Sequence, residues 1–373
     1  MKITFISNYF THHQKPLSDA LAQLCDYTFV STAAMTEERR NMGWGEAADP
    51  EYVCSYESQP EAALAHIADS DAVIAGNAPA WMVRDCLRRN QLVLRYSERP
   101  LKKGLEPLKY LPRLVKWHRQ NPPWRKVYML CASSFTAGDY AKFGLFRKKC
   151  FRWGYFPAMK RYADVQALMA GKEKTTILWG GRFLELKHPE DVLQMAARLK
   201  AEGVSFRLDF IGSGVMEETM RRMICREGLE DCVRLLGTMT PEEVRVHMER
   251  AGILLMTSDR QEGWGAVVNE AMNSGCAVVV SDAVGASGYL IRHGENGWVY
   301  PSGDVDALQR QVKTLLEEPQ RMSAMGEKAC RTIMEQWNGE VAAQRLMVLI
   351  SAMLDGKKNL DLYPDGPGSR HIL

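Results

Sequence analysis

The chain has 373 residues, 46% hydrophobic and 25% charged, with a formal net charge of +3. That length is too great for one ordinary core and predicts two domains of about 150 to 200 residues. The composition excludes a collagen-like or disordered chain, and no apolar run approaches the roughly 20 residues that span a bilayer. A short apolar strand precedes His12, His13 and Gln14, which does not read as a signal peptide. The nine scattered cysteines form no CxxC pair, so reduced thiols in a cytoplasmic protein are expected rather than disulfides or zinc.

Residues 2–7 (KITFIS) read as a buried strand, and Pro16 opens a helix whose apolar face is Leu17, Ala20, Leu21 and Leu24. The loop between them, NYFTHHQK, leaves the carboxyl end of the strand, where open α/β sheets bind ligands. His12 and His13 are therefore candidate polar contacts to a ligand, the alternative being ordinary surface histidines. Further strands are expected at 27–31, 72–76, 92–97 and 127–133, with helical stretches such as 61–69 and 79–89 between them. This alternation predicts a parallel, doubly wound sheet. Glu98 leaves one of these strands and is a further candidate ligand contact; its alternative is a pair with Arg95 or Arg99.

From Arg95 to Arg161 there are 17 Lys and Arg against three acids, Glu98, Glu106 and Asp139. The segment carries +14, the remainder about −11. With Trp117, Trp124 and Trp153 among the cations, it fits an anionic membrane surface, on the inner face of the membrane. Nucleic acid also rewards clustered cations, but no nucleic-acid motif accompanies them and none is expected as a partner. The alternative is a solvated face with its aromatics in the core.

A second series begins near Thr175, with strands at TTILWGG, 206–212, VRLLG and 253–258 and helices at 189–202, 215–227 and from Pro241. Two D-x-D triplets, Asp69 to Asp71 and Asp304 to Asp306, stand where a strand and a helix begin. The second reads as a helix cap and neither reads as a metal site, so no metal and no cofactor are expected. The chain after Asp304 is helical to about Leu354, with a break near Trp337 to Gly339. The Gly- and Pro-rich residues 357–373 are expected to be a flexible tail.

The stretch that organises the rest runs from Asp259 to Asp304. Glu262 and Glu270 are separated by seven residues, with Gly263, Trp264 and Gly265 between them and a helix starting near Gly265. A tight turn feeding a helix N-terminus turns backbone N–H groups toward an anion, and the flanking carboxylates can accept hydrogen bonds from sugar hydroxyls. Gly181, Arg182 and Lys187 follow one strand, and Gly212, Ser213 and Gly214 the next. Arg182 is a planar fork of donors and Lys187 a compact charge, both suited to phosphate; surface pairs with Glu185 or Glu190 are the alternative.

Over roughly 175–340 these motifs resemble the retaining GT-B glycosyltransferases of family 4. The resemblance is weak over 1–160. It implies two Rossmann-like, doubly wound α/β domains facing across a cleft: 1–160, acceptor-binding and completed by helices at about 337–356, and 170–336, binding the donor. It further implies transfer of a sugar from a nucleoside-diphosphate sugar to the hydroxyl of a saccharide or lipid-linked acceptor, plausible in making cell-surface polysaccharide or glycolipid. Glu262 would act at the transferred sugar and Glu270 at the ribose, with Arg182 and Lys187 as catalytic cations. Gly181, Gly212, Gly214, Gly263, Trp264, Gly265, Ala266 and Val267 would line the donor. Two features depart from the pattern: the first loop has no glycine pair, and Gly285 to Tyr289 lacks the usual acid. A GT-B sugar-nucleotide epimerase and a non-catalytic sugar-nucleotide or carbohydrate-binding protein of this fold are the alternatives.

Overall fold

Runs of small and β-branched residues build two parallel sheets. The computed structural model describes residues 1–35 and 50–372, which divide into two units, Met1–Ala158 with Gln336–Leu373, and Met159–Glu335. In the first unit the strands are β1 (Lys2–Ser7), β2 (Asp26–Ser31), β3 (Val53–Ser55), β4 (Ala72–Ala75), β5 (Leu92–Ser97), β6 (Val127–Cys131) and β7 (Cys150–Arg152), in the order β3-β2-β1-β4-β5-β6-β7. All pair in parallel. Ile3 to Ser7 of β1 and all of β4 are buried, as strands covered by helices on both faces must be.

The helix Gly339–Leu354 belongs to this unit and packs on the helix Lys15–Leu24. Gly339 makes the approach possible, because a Cβ there would stand 2.8 Å from the carbonyl of Pro16. The side chain of Asn338 caps the helix by accepting from the Val341 amide at 2.9 Å.

The expectation of a loose tail at 357–373 is corrected. Gly366 to Ser369 are buried, and the segment runs along the free edge of β7. Gly368 N–H donates to Arg152 O (2.9 Å), Arg152 N–H to Ser369 O (2.8 Å) and His371 N–H to Cys150 O (3.0 Å). Asp365 pairs with Arg152 at 2.6 Å, and Arg345 donates to the carbonyl of Asp365. The breakers Gly366 and Gly368, both at positive φ, bend the chain so that it satisfies an open sheet edge. Leu373 lies outside the described residues.

The second unit has β8 (Glu173–Gly180), β9 (Arg207–Ile211), β10 (Val233–Leu235), β11 (Ala251–Met256), β12 (Ala277–Ser281) and β13 (Trp298–Tyr300), in the order β10-β9-β8-β11-β12-β13, again all parallel. Trp179, Phe183, Phe210, Leu193 and Leu255 lie in its core. Helix starts follow the sequence signals. Pro189 and Pro241 sit in first turns, and Thr240 with Glu243 forms a capping box. Asp304 is a cap, accepting from the Ala307 amide at 2.8 Å. The helical stretch after it breaks a second time, at Glu318.

In each sheet the first strand of the unit has later strands on both sides. The order therefore reverses between β1 and β4, and between β8 and β11. Ligands of open α/β sheets bind outside the carboxyl ends of the strands at such reversals.

Candidate active site

The loops after β8 and β11 emerge side by side, since Leu255 is the register partner of Trp179. Each is tied to the other. Asp259 N–H donates to Leu186 O at 2.9 Å. The Thr257 hydroxyl, itself accepting from Trp179 Nε1 (3.0 Å), donates to Lys187 O at 2.6 Å. On this frame the ammonium of Lys187 meets the carboxylate of Glu262 in a short ion pair, both side chains mostly shielded from solvent. Two residues 75 positions apart, singled out separately in the sequence, are thus brought into contact. Arg182, two residues after β8, is exposed, and its guanidinium makes no hydrogen bond or ion pair with any described residue. Neither Glu185 nor Glu190 pairs with Lys187 or Arg182 among the described residues.

The glycines have a backbone reason. Gly181 N–H donates to Ile211 O (3.0 Å) and Phe183 N–H to Ser213 O (2.8 Å), stitching the exits of β8 and β9. A Cβ on Gly212 would fall 1.9 Å from Gly181 O, and one on Gly214 2.5 Å from Phe183 O. Both have positive φ, 137° and 156°. Only glycine permits this approach.

Gly265, at φ 89°, opens the helix Ala266–Asn273. The first amides of such a helix have no intrahelical acceptor, which leaves Ala266 and Val267 at the turn that faces the reversal point. The Trp264 indole is buried and donates through Nε1 to Asn269 at 2.8 Å, so any part Trp264 plays toward a ligand falls to its backbone. Gly263 is buried with it.

Glu270, one turn into this helix, is half-buried. Desolvation pushes its pKa up to about 7 against the pull of Arg245. Among the described residues no group bonds to its carboxylate. A desolvated acceptor without a partner is costly unless a ligand supplies one.

Sequence reasoning missed His188 and Asp259. His188, in the left-handed region (φ 48°), places Nδ1 2.9 Å from Glu190 and Nε2 3.5 Å from Asp259. The hydrogen bond to Glu190, with the charges of Glu190, Asp191 and Asp259, outweighs desolvation and raises its pKa to about 9. His188 is therefore an imidazolium at neutral pH and clamps the loop of Lys187 to the loop of Glu262. His188, Glu190 and Asp191 also place one ligand atom each within 4.8 Å of one another, with the His188 ring nitrogens turned to Glu190 and Asp259. The only signal in the sequence was position: His188 follows Lys187, and Asp259 begins the stretch that holds Glu262.

In the first unit, His12 and His13 lie in the loop after β1 with ring centroids 3.9 Å apart. Burial, then the neighbouring His12, pushes the pKa of His13 down to about 3, which keeps it neutral. Its ring lies parallel to that of Tyr155 at 6.1 Å. Tyr155 donates to Glu98 at 2.7 Å, and Lys102 holds the other oxygen of that carboxylate at 2.5 Å. Among the described residues Glu98 has no pair with Arg95 or Arg99: Arg95 is bonded to Asn121 and Gln120, and Arg99 pairs with Asp139 at 3.5 Å. Tyr155, which sequence reasoning passed over, is what joins His13 to Glu98.

Two parallel, doubly wound units in one chain, each with its reversal point, define the GT-B fold. Solved structures of that shape are similar to the whole chain. HepE of Anabaena in complex with UDP matches with a TM-score of 0.68 at 15% identity, over 94% of this chain and 100% of that one. The pneumococcal O-GlcNAc transferase GtfA in complex with UDP and GlcNAc matches with a TM-score of 0.66 at 11% identity, over 95% and 99%. Residues 161–332, which make up most of the second unit, match the family model described as Glycosyl transferases group 1. Among curated relatives, the amylovoran biosynthesis glycosyltransferase AmsK of Erwinia amylovora is 29% identical over 48% of this chain and 44% of its own. The lipopolysaccharide core biosynthesis mannosyltransferase LpcC of Rhizobium leguminosarum bv. viciae is 29% identical over 50% of each. Such alignments span between 16% and 56% of the relatives' own lengths.

Proposed function

We propose that the chain is a retaining glycosyltransferase that moves a sugar from a nucleoside-diphosphate sugar to a hydroxyl acceptor, in the synthesis of a polysaccharide or glycolipid. The observation that carries this reading is the Lys187–Glu262 pair beside an unpaired Arg182 at the reversal point between β8 and β11. The family-model match of the second unit and the UDP held by HepE and GtfA support the donor class.

In this reading the diphosphate lies on Arg182, Lys187 and the turn from Gly263 to Val267, with Gly181, Gly212 and Gly214 keeping the neighbouring backbone close. The carboxylate of Glu270 accepts from the ribose hydroxyls. The bond from the anomeric carbon to the β-phosphate oxygen breaks, and positive charge grows on the sugar ring as negative charge grows on the leaving oxygen. Arg182 and Lys187 stabilise that oxygen, which is where fixed charge contributes most to rate. Glu262, released from Lys187 when phosphate takes its place, holds the sugar hydroxyls and stabilises the cationic ring. The acceptor oxygen bonds to the same face of the anomeric carbon and passes its proton to the departing phosphate oxygen. His12, His13 and Glu98 are the acceptor residues of the first unit.

Glu262→Gln keeps the shape and removes the charge. Transfer should fall about 100-fold or more, with the protein still folded and donor still bound. A Gln variant as active as the native protein would overturn the assignment.

A further inference from the structure

We propose that the helix Pro107–Gln120 and the loop that follows it dock the protein on an anionic lipid surface. Thirteen large apolar side chains stand exposed among the described residues, and five of them, Leu105, Leu108, Leu111, Val115 and Trp124, fall within twenty residues. The helix turns Tyr110, Leu114 and Trp117 toward the core of its unit. Leu108, Leu111 and Val115 recur at three and four residues, so they share the opposite side, with Leu108 94% exposed. Trp124 is 77% exposed in the loop just beyond. Burial in this fold does not explain such a stripe, and an exposed apolar face of this kind marks an interaction surface.

The charges around it identify the partner. All three acids between Arg95 and Arg161 are already neutralised: Glu98 by Lys102, Glu106 by Lys109 and Arg113, and Asp139 by Arg99 and Lys142. Lys103, Lys116, Arg119, Arg125, Arg147 and Lys148 make no ion pair with any described residue. The helix, the loop after it and the segment 142–149 are tied together. Lys149 donates to the carbonyls of Pro123 and Arg125 (2.8 and 2.9 Å), His118 is bonded to Phe143 O at 2.8 Å, and Tyr110 donates to Lys142 O at 3.1 Å. Exposed apolar side chains with free cations on the same helix and in the segments bonded to it match an interface of acyl chains beneath anionic headgroups. A second copy would set Lys116 and Arg119 against like charge across a two-fold axis, and a nucleic-acid backbone would leave Leu108, Leu111 and Trp124 nothing apolar to enter.

The test is co-sedimentation of the full chain with phosphatidylcholine vesicles, with and without phosphatidylglycerol, at low and high salt. The native protein should pellet with the anionic vesicles alone and be released by salt. Lys116→Gln with Arg119→Gln should lower the partition coefficient about 25-fold, at roughly fivefold per cation. Leu108→Ser with Leu111→Ser should weaken binding at constant charge. Both pairs are exposed, and unchanged melting curves show that each variant is folded. Three results would overturn the proposal: no pelleting at low salt, binding indifferent to the leucines, or self-association of the native chain that the leucine variants abolish. Because no nucleotide is present, the outcome is independent of the donor site.

Discussion

Glu270 and His188 are opposite cases of a shifted side chain. Burial raises Glu270 to about 7, so its contribution to folding stability is complete below the ordinary carboxyl range and is lost as pH rises through about 7. The same ionisation creates the acceptor a ribose needs. Affinity for an intact sugar nucleotide should therefore tighten as pH rises through about 7, and Glu270→Gln should flatten the dependence; calorimetric titration across that range decides it, and an unchanged slope in the variant would refute the role. For His188 the partners raise the pKa to about 9. Its contribution is full below about 6.5, the ordinary histidine value, and is lost as pH rises through about 9. His188→Asn tolerates the left-handed backbone and removes the cation. The melting temperature gap between native and variant protein should be widest in mild acid and narrow above about pH 9. A gap that grew with pH would contradict the clamp.

Among the elements, the crossing of the loops after β8 and β9 is the least tolerant place in the second unit. Gly212→Ala drives a Cβ into Gly181 O at positive φ, a clash with backbone that no side-chain rotation relieves. It should cost about 2 kcal/mol or more and lower the melting temperature; an Ala variant as stable as the native chain would show that the approach is not tight. Elements of this kind were only partly legible in the sequence. The strands β1, β4 and β11 could be read because parallel strands buried on both faces are continuous apolar runs. β3, β7 and β13 were missed because three residues carry no periodicity, whereas the equally short β10 was legible through the longer, mostly apolar run VRLLG. The tail was misread because glycine and proline signal a turn but not what the turned chain then bonds to.

For the whole molecule, the sequence revealed the chemistry of the site better than its contacts. The spacing of Glu262 and Glu270 and the order of Arg182 and Lys187 could be read along the chain. The Lys187–Glu262 pair, the His188 clamp and the link from His13 through Tyr155 to Glu98 are contacts between distant segments, and no local pattern encodes them. The charge asymmetry was legible as a number, whereas the exposed leucines that give it direction required the helix. The central claim is that the second unit binds a nucleoside-diphosphate sugar through Arg182. A thermal-shift series with UDP, GDP, ADP and their sugar conjugates, on native protein and Arg182→Ala, tests it most directly. Ligand at 100 times its dissociation constant stabilises by about 2.7 kcal/mol. The account predicts a base-selective rise in melting temperature that Arg182→Ala abolishes; no rise with any nucleotide, or one that survives the substitution, would contradict it.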